Sequence, residues 1–417
     1  MDIFEARESA VRSYCRIWPT VFGRAAGSRL YDEYGRGYLD FFTGAGALNY
    51  GHNNPKLKDA LLKYLADDGV IHSLDMHTVA KREFLTVFDE LVLRPRQLDY
   101  RVQFPGPGGA NAVEAALKLA RKVTGRAEIV SFTNSFHGMS LGALAVTGSA
   151  FHRAGAGIPL SHATPVPFGE SLDQDGRIPD FQWLERLVGD KGSGLDAPAA
   201  AIVETVQGEG GINVASAEWL RRLSELCREY GMLLIVDDVQ MGCGRTGPFF
   251  SFESAGITPD IVCVSKSISG YGLPLALTLI RPDLDIWAPG EHTGTFRGVN
   301  PALVTGTAAL RAYWSDDELE RCTLANGERI YAALTATADS VPGTPILVRG
   351  RGMAWGLAFA DGDLASKVST AAFEAGLLAE TAGARGQVVK LLPPLTITDA
   401  ELDEGLSVLD ATIRAVC

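Results

Sequence analysis

The sequence predicts an α/β protein: a large domain built on a doubly wound, mostly parallel sheet, joined to a smaller α+β domain. Three observations predict it. Short apolar runs rich in β-branched residues recur at Glu128–Thr133, Ala199–Glu204, Leu233–Val236 and Ile261–Val264, as expected of strands buried on both faces. Segments with helical spacing of apolar residues separate them, and such alternation is the mark of a doubly wound sheet. The chain has 417 residues, 46% of them hydrophobic, which is too long for one ordinary core.

In chain order, Arg29–Phe42 places aromatic-rich segments on either side of Gly35 and Gly37 and predicts a β-hairpin. A Gly-rich loop, TGAGALNYGHNNP, follows. It leads into a helix with Asn54 as cap, Pro55 in the first turn and a stripe of Leu57, Leu61 and Leu65 that runs until Gly69. At Arg101–Gly125 a strand runs into a glycine-rich turn. A helix follows with Val113, Ala116, Leu117 and Ala120 on one face. Glu218–Tyr230 predicts an amphipathic helix through Leu220, Leu223 and Cys227, stopped at Gly231. From Pro301 the chain is expected to be helical to about Ala338. Strands are expected at Pro345–Val348, Met353–Phe359 and Val388–Leu391.

Composition narrows the function. The formal charge is −12 and no basic block exists, which argues against nucleic acid or anionic lipid as partner. Apolar runs fall far short of a membrane span. The first sixteen residues are charged and unlike a secretory signal. The six cysteines are scattered without metal-ligand spacing. A reduced, cytoplasmic setting is expected, with no structural metal.

The chemistry is expected at strand ends, where open α/β sheets place their sites. The run Leu233–Val236 ends in Asp237, and Ile261–Val264 ends in Ser265 and Lys266. A carboxylate and an amine therefore face one crevice, either as functional groups or as a buried ion pair. The turn before the 110s helix offers free N–H groups at Gly109 and Ala110, an anion seat or a site of close packing. It is neither a Walker loop nor a GxGxxG fingerprint. Phe136 and His137 follow a strand, and an aromatic there stacks on a flat ring or on the core. Glu204 and Glu209 are two acids in a Gly-rich loop after another strand.

The ordered set DDVQMGCGRTG, PDIVCVSK, FHG, ETVQGEGG, GTF and the basic residue before PPL resembles the class III aminotransferases over nearly the whole chain. The resemblance implies the type I fold of pyridoxal 5′-phosphate enzymes. Residues 53–305 would form the cofactor-binding domain, with 1–52 and 306–417 forming the small domain. It implies that Lys266 carries the cofactor and moves the substrate proton, and that Asp237 pairs with the pyridine nitrogen. Gln240 would bond the phenolic oxygen, and Val239 and Phe136 would clamp the ring. His137 and Glu204 complete the cofactor surroundings. Thr295 would reach the phosphate of a neighbouring subunit, which makes the enzyme a homodimer or a dimer of dimers with shared sites. Potassium is an activator that the resemblance allows.

Two departures from that pattern stand out. The hydroxyls usual at the positions of Gly108 and Ala110 are missing. Lysine, not arginine, stands at Lys390 before PPL, and it meets a carboxylate as a point charge without a bidentate fork. Glu209 and Lys390 are expected to form a gate over the substrate carboxylate. Tyr14 and Gly46 are the further substrate contacts, with the Tyr14–Arg16 segment holding the distal carboxylate. FFTGAGALNYGHNNP, HSLDMHT, SKSISGYGLPLAL, PGEHTGTFRG and KLLPPLTI resemble the branch of the class that handles 2,4-diaminobutyrate. That branch implies transfer from L-glutamate to L-aspartate 4-semialdehyde. An ornithine- or 4-aminobutyrate-type enzyme is the alternative within the class, and a lyase or isomerase on the same fold the alternative outside it.

Overall fold

The computed structural model describes residues 3–169 and 181–417. Its centre is a seven-stranded sheet in the order Arg101–Gln103, Leu277–Ile280, Ile261–Val264, Leu233–Asp237, Ala200–Val203, Ile129–Phe132, Ala163–Val166. Every pair is parallel except the two that Leu277–Ile280 makes with its neighbours. The expected strands are all present, and the sheet is mostly parallel as predicted.

Side-chain alternation explains why these runs read as continuously apolar. Ile129, Ile202, Leu233, Ile235, Ile261 and Cys263 point to one face and join a core with the helix Gly109–Thr124. Val130, Val203, Leu234, Val236, Val262 and Val264 point to the other and meet Leu220, Leu223 and Leu226 of the helix Ala217–Glu229. Both faces are covered, so the strands are almost wholly apolar, and a polar exception such as Thr278 donates its hydroxyl to the Ala112 carbonyl. Each fully buried Leu, Ile or Val contributes about 1.5–3 kcal/mol. The helix Ala217–Glu229 begins at Ser216, whose hydroxyl accepts from the Trp219 amide at 3.2 Å. It stops before Gly231, whose φ of +61° suits glycine.

Two four-stranded sheets complete the frame, beside a two-stranded ribbon of Val206–Gln207 and Asn213–Val214. The predicted hairpin forms between Arg29–Asp32 and Gly37–Asp40. It gains two strands that the sequence reading missed: Phe22–Ala26, and Leu377–Leu378 from the far end of the chain. The third sheet is antiparallel and runs Ile346–Arg351, Ala354–Phe359, Val388–Leu391, Glu380–Ala382.

Some local expectations need correction. Asn54 occupies the N-cap position of the helix Pro55–Ala66, with Pro55 in the first turn as expected, but its side chain makes no capping bond. Its amide nitrogen donates to the Tyr50 carbonyl and the Tyr313 hydroxyl instead. Of the leucine stripe only Leu57 is buried, while Leu65 is exposed. The long C-terminal helical stretch is two helices, Asn300–Tyr313 and Glu318–Asp339. Trp314 separates them. It is buried and donates to the Tyr50 hydroxyl at 2.8 Å. No helix among the described residues is long and apolar enough to cross a membrane.

Candidate active site

Asp237 closes the central strand, and its register partner on the next strand is Cys263. Lys266 lies three residues beyond that partner, so the parallel register brings the carboxylate and the amine to the same sheet edge. Lys266 adopts φ +54°, a left-handed conformation that costs a non-glycine residue about 1–3 kcal/mol. Flanking serines hold it there. The Ser265 hydroxyl donates to the Leu275 carbonyl and the Ser267 hydroxyl to the Gly46 carbonyl, both at 2.8 Å. The backbone turns Lys266 into a cavity of about 370 Å³, within the usual range for small-molecule pockets, roughly 300–1,000 Å³.

That cavity is lined by Gly109, Ala110, Phe136, His137, Glu204, Glu209, Asp237, Val239, Gln240 and Lys266, together with Gly108, Gly138 and Met139. Ten of the fourteen residues expected at the site thus converge on one space. Burial lowers the Lys266 amine from its ordinary value, with Glu209 pulling the other way. Asp237 accepts from His137 Nδ1 at 2.7 Å and from the Val239 amide at 3.1 Å. Burial pulls the imidazole down, but the bond and charge of Asp237 outweigh it and hold His137 above its ordinary value. His137 therefore fixes Asp237 in place and does not reach past it. Glu204 accepts from the Phe136 amide at 2.9 Å and the Gly208 amide at 3.4 Å. Burial raises it to about 7.

The helix Gly109–Thr124 aims its first N–H groups at the cavity. These have no carbonyl partner within the helix and favour an anion. Gly109 is needed there, since a Cβ would stand 2.8 Å from Val239 Cγ1. Gln240 donates to the Ala45 carbonyl at 2.9 Å and to Glu209 Oε1 at 3.0 Å. Its amide hydrogens are thus committed within the protein, and bonding a ring oxygen requires exchanging one of these partners.

Lys390 is fully buried. It donates to Glu209 Oε1 at 2.6 Å, so the expected pair is formed. Sequence reasoning missed a second carboxylate: Glu380 Oε1 lies 2.9 Å from the same ammonium. The segment LLAETA does carry an acid inside an apolar run, but only strand pairing places Glu380 opposite Lys390. Tyr14 lies outside the main cavity. It lines an adjoining one of about 340 Å³ with Glu209, Glu380 and Phe136. Gly46 does not line either cavity; it supports Lys266 through Ser267 and packs on Gln240. Thr295 is exposed and also lies outside this chain's cavities.

An amine, a carboxylate and an anion seat on one cavity fit pyridoxal phosphate. So does the buried His137 Nε2, which has no hydrogen-bond partner. The fold and this site define a pyridoxal-phosphate-dependent aminotransferase, and the family model for class III aminotransferases matches residues 12–413. The chain belongs to that family. It is 65% identical over 415 residues to a diaminobutyrate–2-oxoglutarate transaminase of Streptomyces avermitilis, covering 99% of this chain and 98% of the relative. It is 64% identical over 414 residues to the same-named enzyme of Streptomyces anulatus, again covering 99% and 98%. Among solved structures it resembles the ornithine aminotransferase of Toxoplasma gondii, with a TM-score of 0.84 and 26% identity over 99% of this chain and 93% of that one. That structure holds pyridoxal phosphate at partial occupancy.

Proposed function

We propose that the chain transfers the amino group of L-glutamate to the aldehyde carbon of L-aspartate 4-semialdehyde, giving 2-oxoglutarate and L-2,4-diaminobutyrate. The reaction runs as two half-reactions in one site. The observation that carries the reading is that Lys266 and Asp237 end adjacent strands on one cavity, which is also lined by Glu209, the partner of the buried Lys390. The names of the Streptomyces relatives support the substrate.

Pyridoxal phosphate supplies the carbonyl that takes up the amino group and a ring that withdraws electrons from the reacting carbon. Lys266 holds the group and, once displaced, takes and returns the proton of the substrate carbon. Burial lowers its basicity and so favours the neutral amine that proton transfer needs. Asp237, locked by His137, presents a fixed negative charge to the ring nitrogen. Phe136 and Val239 clamp the ring, and Gly109 and Ala110 seat the phosphate. Lys390 receives the glutamate α-carboxylate after parting from Glu209.

The enzyme is read as a homodimer. Exposed apolar side chains at Leu65, Ile71, Met76 and Val79 support a second copy covering this side, and the exposed Thr295 is then free to reach the partner's phosphate. The six free cysteines fit a reduced cytoplasm. The proposal gives potassium no residue.

The test compares diaminobutyrate, ornithine and 4-aminobutyrate as donors to 2-oxoglutarate. Diaminobutyrate is expected to lead ornithine, which is one methylene longer, by at least about tenfold in kcat/KM, and to lead 4-aminobutyrate, which has the same carbon chain without the α-amino group. A lead for ornithine or 4-aminobutyrate refutes the substrate assignment while leaving the family intact.

The phosphate seat makes its own prediction. Without a hydroxyl at position 108 or 110, this chain holds the anion by backbone N–H groups and the helix end, and the only side-chain hydroxyl assigned to it is the partner's Thr295. Ala110→Thr should add one charge-assisted hydrogen bond and tighten cofactor binding about tenfold, equivalent to about 1.4 kcal/mol. Fluorescence titration of the cofactor-free enzyme measures it. An unchanged dissociation constant means that the seat is already complete.

A further inference from the structure

We infer that Glu380 is a substrate-binding residue that reads the α-ammonium group of the diamino acid, so that the enzyme distinguishes α,ω-diamino acids from ω-amino acids that lack that group. The inference rests on the reading above that a diamino acid is handled at its ω-end.

The cluster around Lys390 contains two carboxyl groups and one ammonium. Glu209 takes the hydrogen bond of the ammonium, at 2.6 Å. Glu380 Oε1 lies 2.9 Å from the same ammonium but off its donating direction, so it holds the cation only as an ion pair, although Glu380 is only 2% exposed. Two buried carboxylates sharing one cation leave Glu380 with acceptor capacity that Lys390 does not fill. Its position is nonetheless enforced, because Glu380 is the register partner of Lys390 across two antiparallel strands. Glu209 sits between Gly208 and Gly210 on a loop, where its side chain is free to turn away from Lys390. Glu380 is the fixed partner and Glu209 the exchangeable one.

Glu380 also faces the second cavity, which meets the first at Phe136 and Glu209. A donor whose ω-amine lies at Lys266 extends its α-carbon toward this second space. There Glu380 offers an acceptor to the α-ammonium. Tyr14 stands beside it, its phenol held protonated by burial and by the charges of Glu380 and Glu209, and it donates to the α-carboxylate. His152 lines the same cavity, and its Nδ1 is a buried atom without a hydrogen-bond partner. One buried acceptor, one phenol donor and a cation held back by Glu209 form a site for a zwitterionic end group. A bare carboxylate has no use for Glu380.

The test is Glu380→Gln in the cofactor-loaded enzyme, which keeps the shape and removes the charge. Single-turnover rates with diaminobutyrate and with 4-aminobutyrate are measured over a range of donor concentrations. The ratio of kcat/KM for diaminobutyrate over 4-aminobutyrate should fall roughly 30-fold or more, mainly through KM, as for loss of one partner of a desolvated charge pair. Equal loss on both donors, or no loss on either, overturns the inference. Should the Gln variant fail to fold, Glu380→Asp retains the charge but shortens the reach, and the same ratio decides. The wild-type enzyme is the control. If it does not act on diaminobutyrate, the substrate reading fails, and ornithine against 4-aminobutyrate then tests Glu380 by itself.

Discussion

Lys266→Ala should lower kcat/KM by at least about 10³-fold with every amino donor. Proton transfer by a positioned side chain contributes roughly 10²–10⁴-fold by itself, and this variant also removes the covalent hold on the cofactor. The effect is expected to be chemical, not structural. Lys266 has no ion-pair partner among the described residues, and the hydroxyls of Ser265 and Ser267 bond to backbone carbonyls whatever stands between them. Replacing a residue at φ +54° by alanine leaves the backbone strain as it was. The variant should therefore fold, with the wild-type circular dichroism spectrum. Borohydride treatment of the loaded wild type should fix the cofactor on the peptide containing Lys266 and on no other. Activity within tenfold of wild type, or labelling elsewhere, refutes the assignment of the amine.

Much of this site was legible because chemistry and topology coincide in short segments. Asp237 and Lys266 each end an apolar run, and runs of that composition become neighbouring parallel strands whose ends share an edge. Gly109, Ala110, Phe136, Val239 and Gln240 lie on the turns that leave those same edges, so local sequence places them. Glu380 was not legible, because its role depends on a pairing across the third sheet that leaves no periodic signal. Phe22–Ala26 and Leu377–Leu378 were missed for a related reason. The first is half-exposed without clean alternation, and the second is a two-residue strand whose partner is more than three hundred residues away. Asn54 stands at the cap position, but its amide nitrogen donates to the Tyr50 carbonyl and the Tyr313 hydroxyl, an orientation in which Oδ1 accepts from no first-turn amide. Gln240 lines the cavity, but local sequence does not show that Ala45 and Glu209 compete for its amide hydrogens.

Glu209→Ala is the second large expected effect, and it acts on the choice between substrates. On the proposed exchange model, the glutamate α-carboxylate displaces Glu209 to reach Lys390, a cation with no exposed surface. Removing the competitor should raise the kcat/KM ratio of glutamate over diaminobutyrate about tenfold, equivalent to about 1.4 kcal/mol of ion-pair energy no longer lost on exchange. Breaking a buried pair usually costs about 3–5 kcal/mol of stability. The cost here should be smaller, because Glu380 remains beside the ammonium. Its pH dependence follows from the two partners. Burial alone would raise Glu209, but the charge of Lys390 outweighs it and holds the carboxylate down to about 2, below its ordinary 4.5. The stabilisation from Glu209 is thus complete above about pH 4.5 and is lost as pH falls from there toward 2. Burial works against the Lys390 ammonium, yet Glu209 and Glu380 raise it above its ordinary 10.5. Its contribution is complete below that value and is lost only as pH rises beyond it. The stability gap between wild type and variant, measured by urea unfolding, should therefore be flat from about pH 5 to 10 and should narrow in acid. A gap that changes between pH 6 and 8 means that some other group titrates with the pair. Equal changes in the glutamate and diaminobutyrate half-reactions mean that Glu209 supports Lys390 without gating it, and the exchange model then fails even though the pair exists.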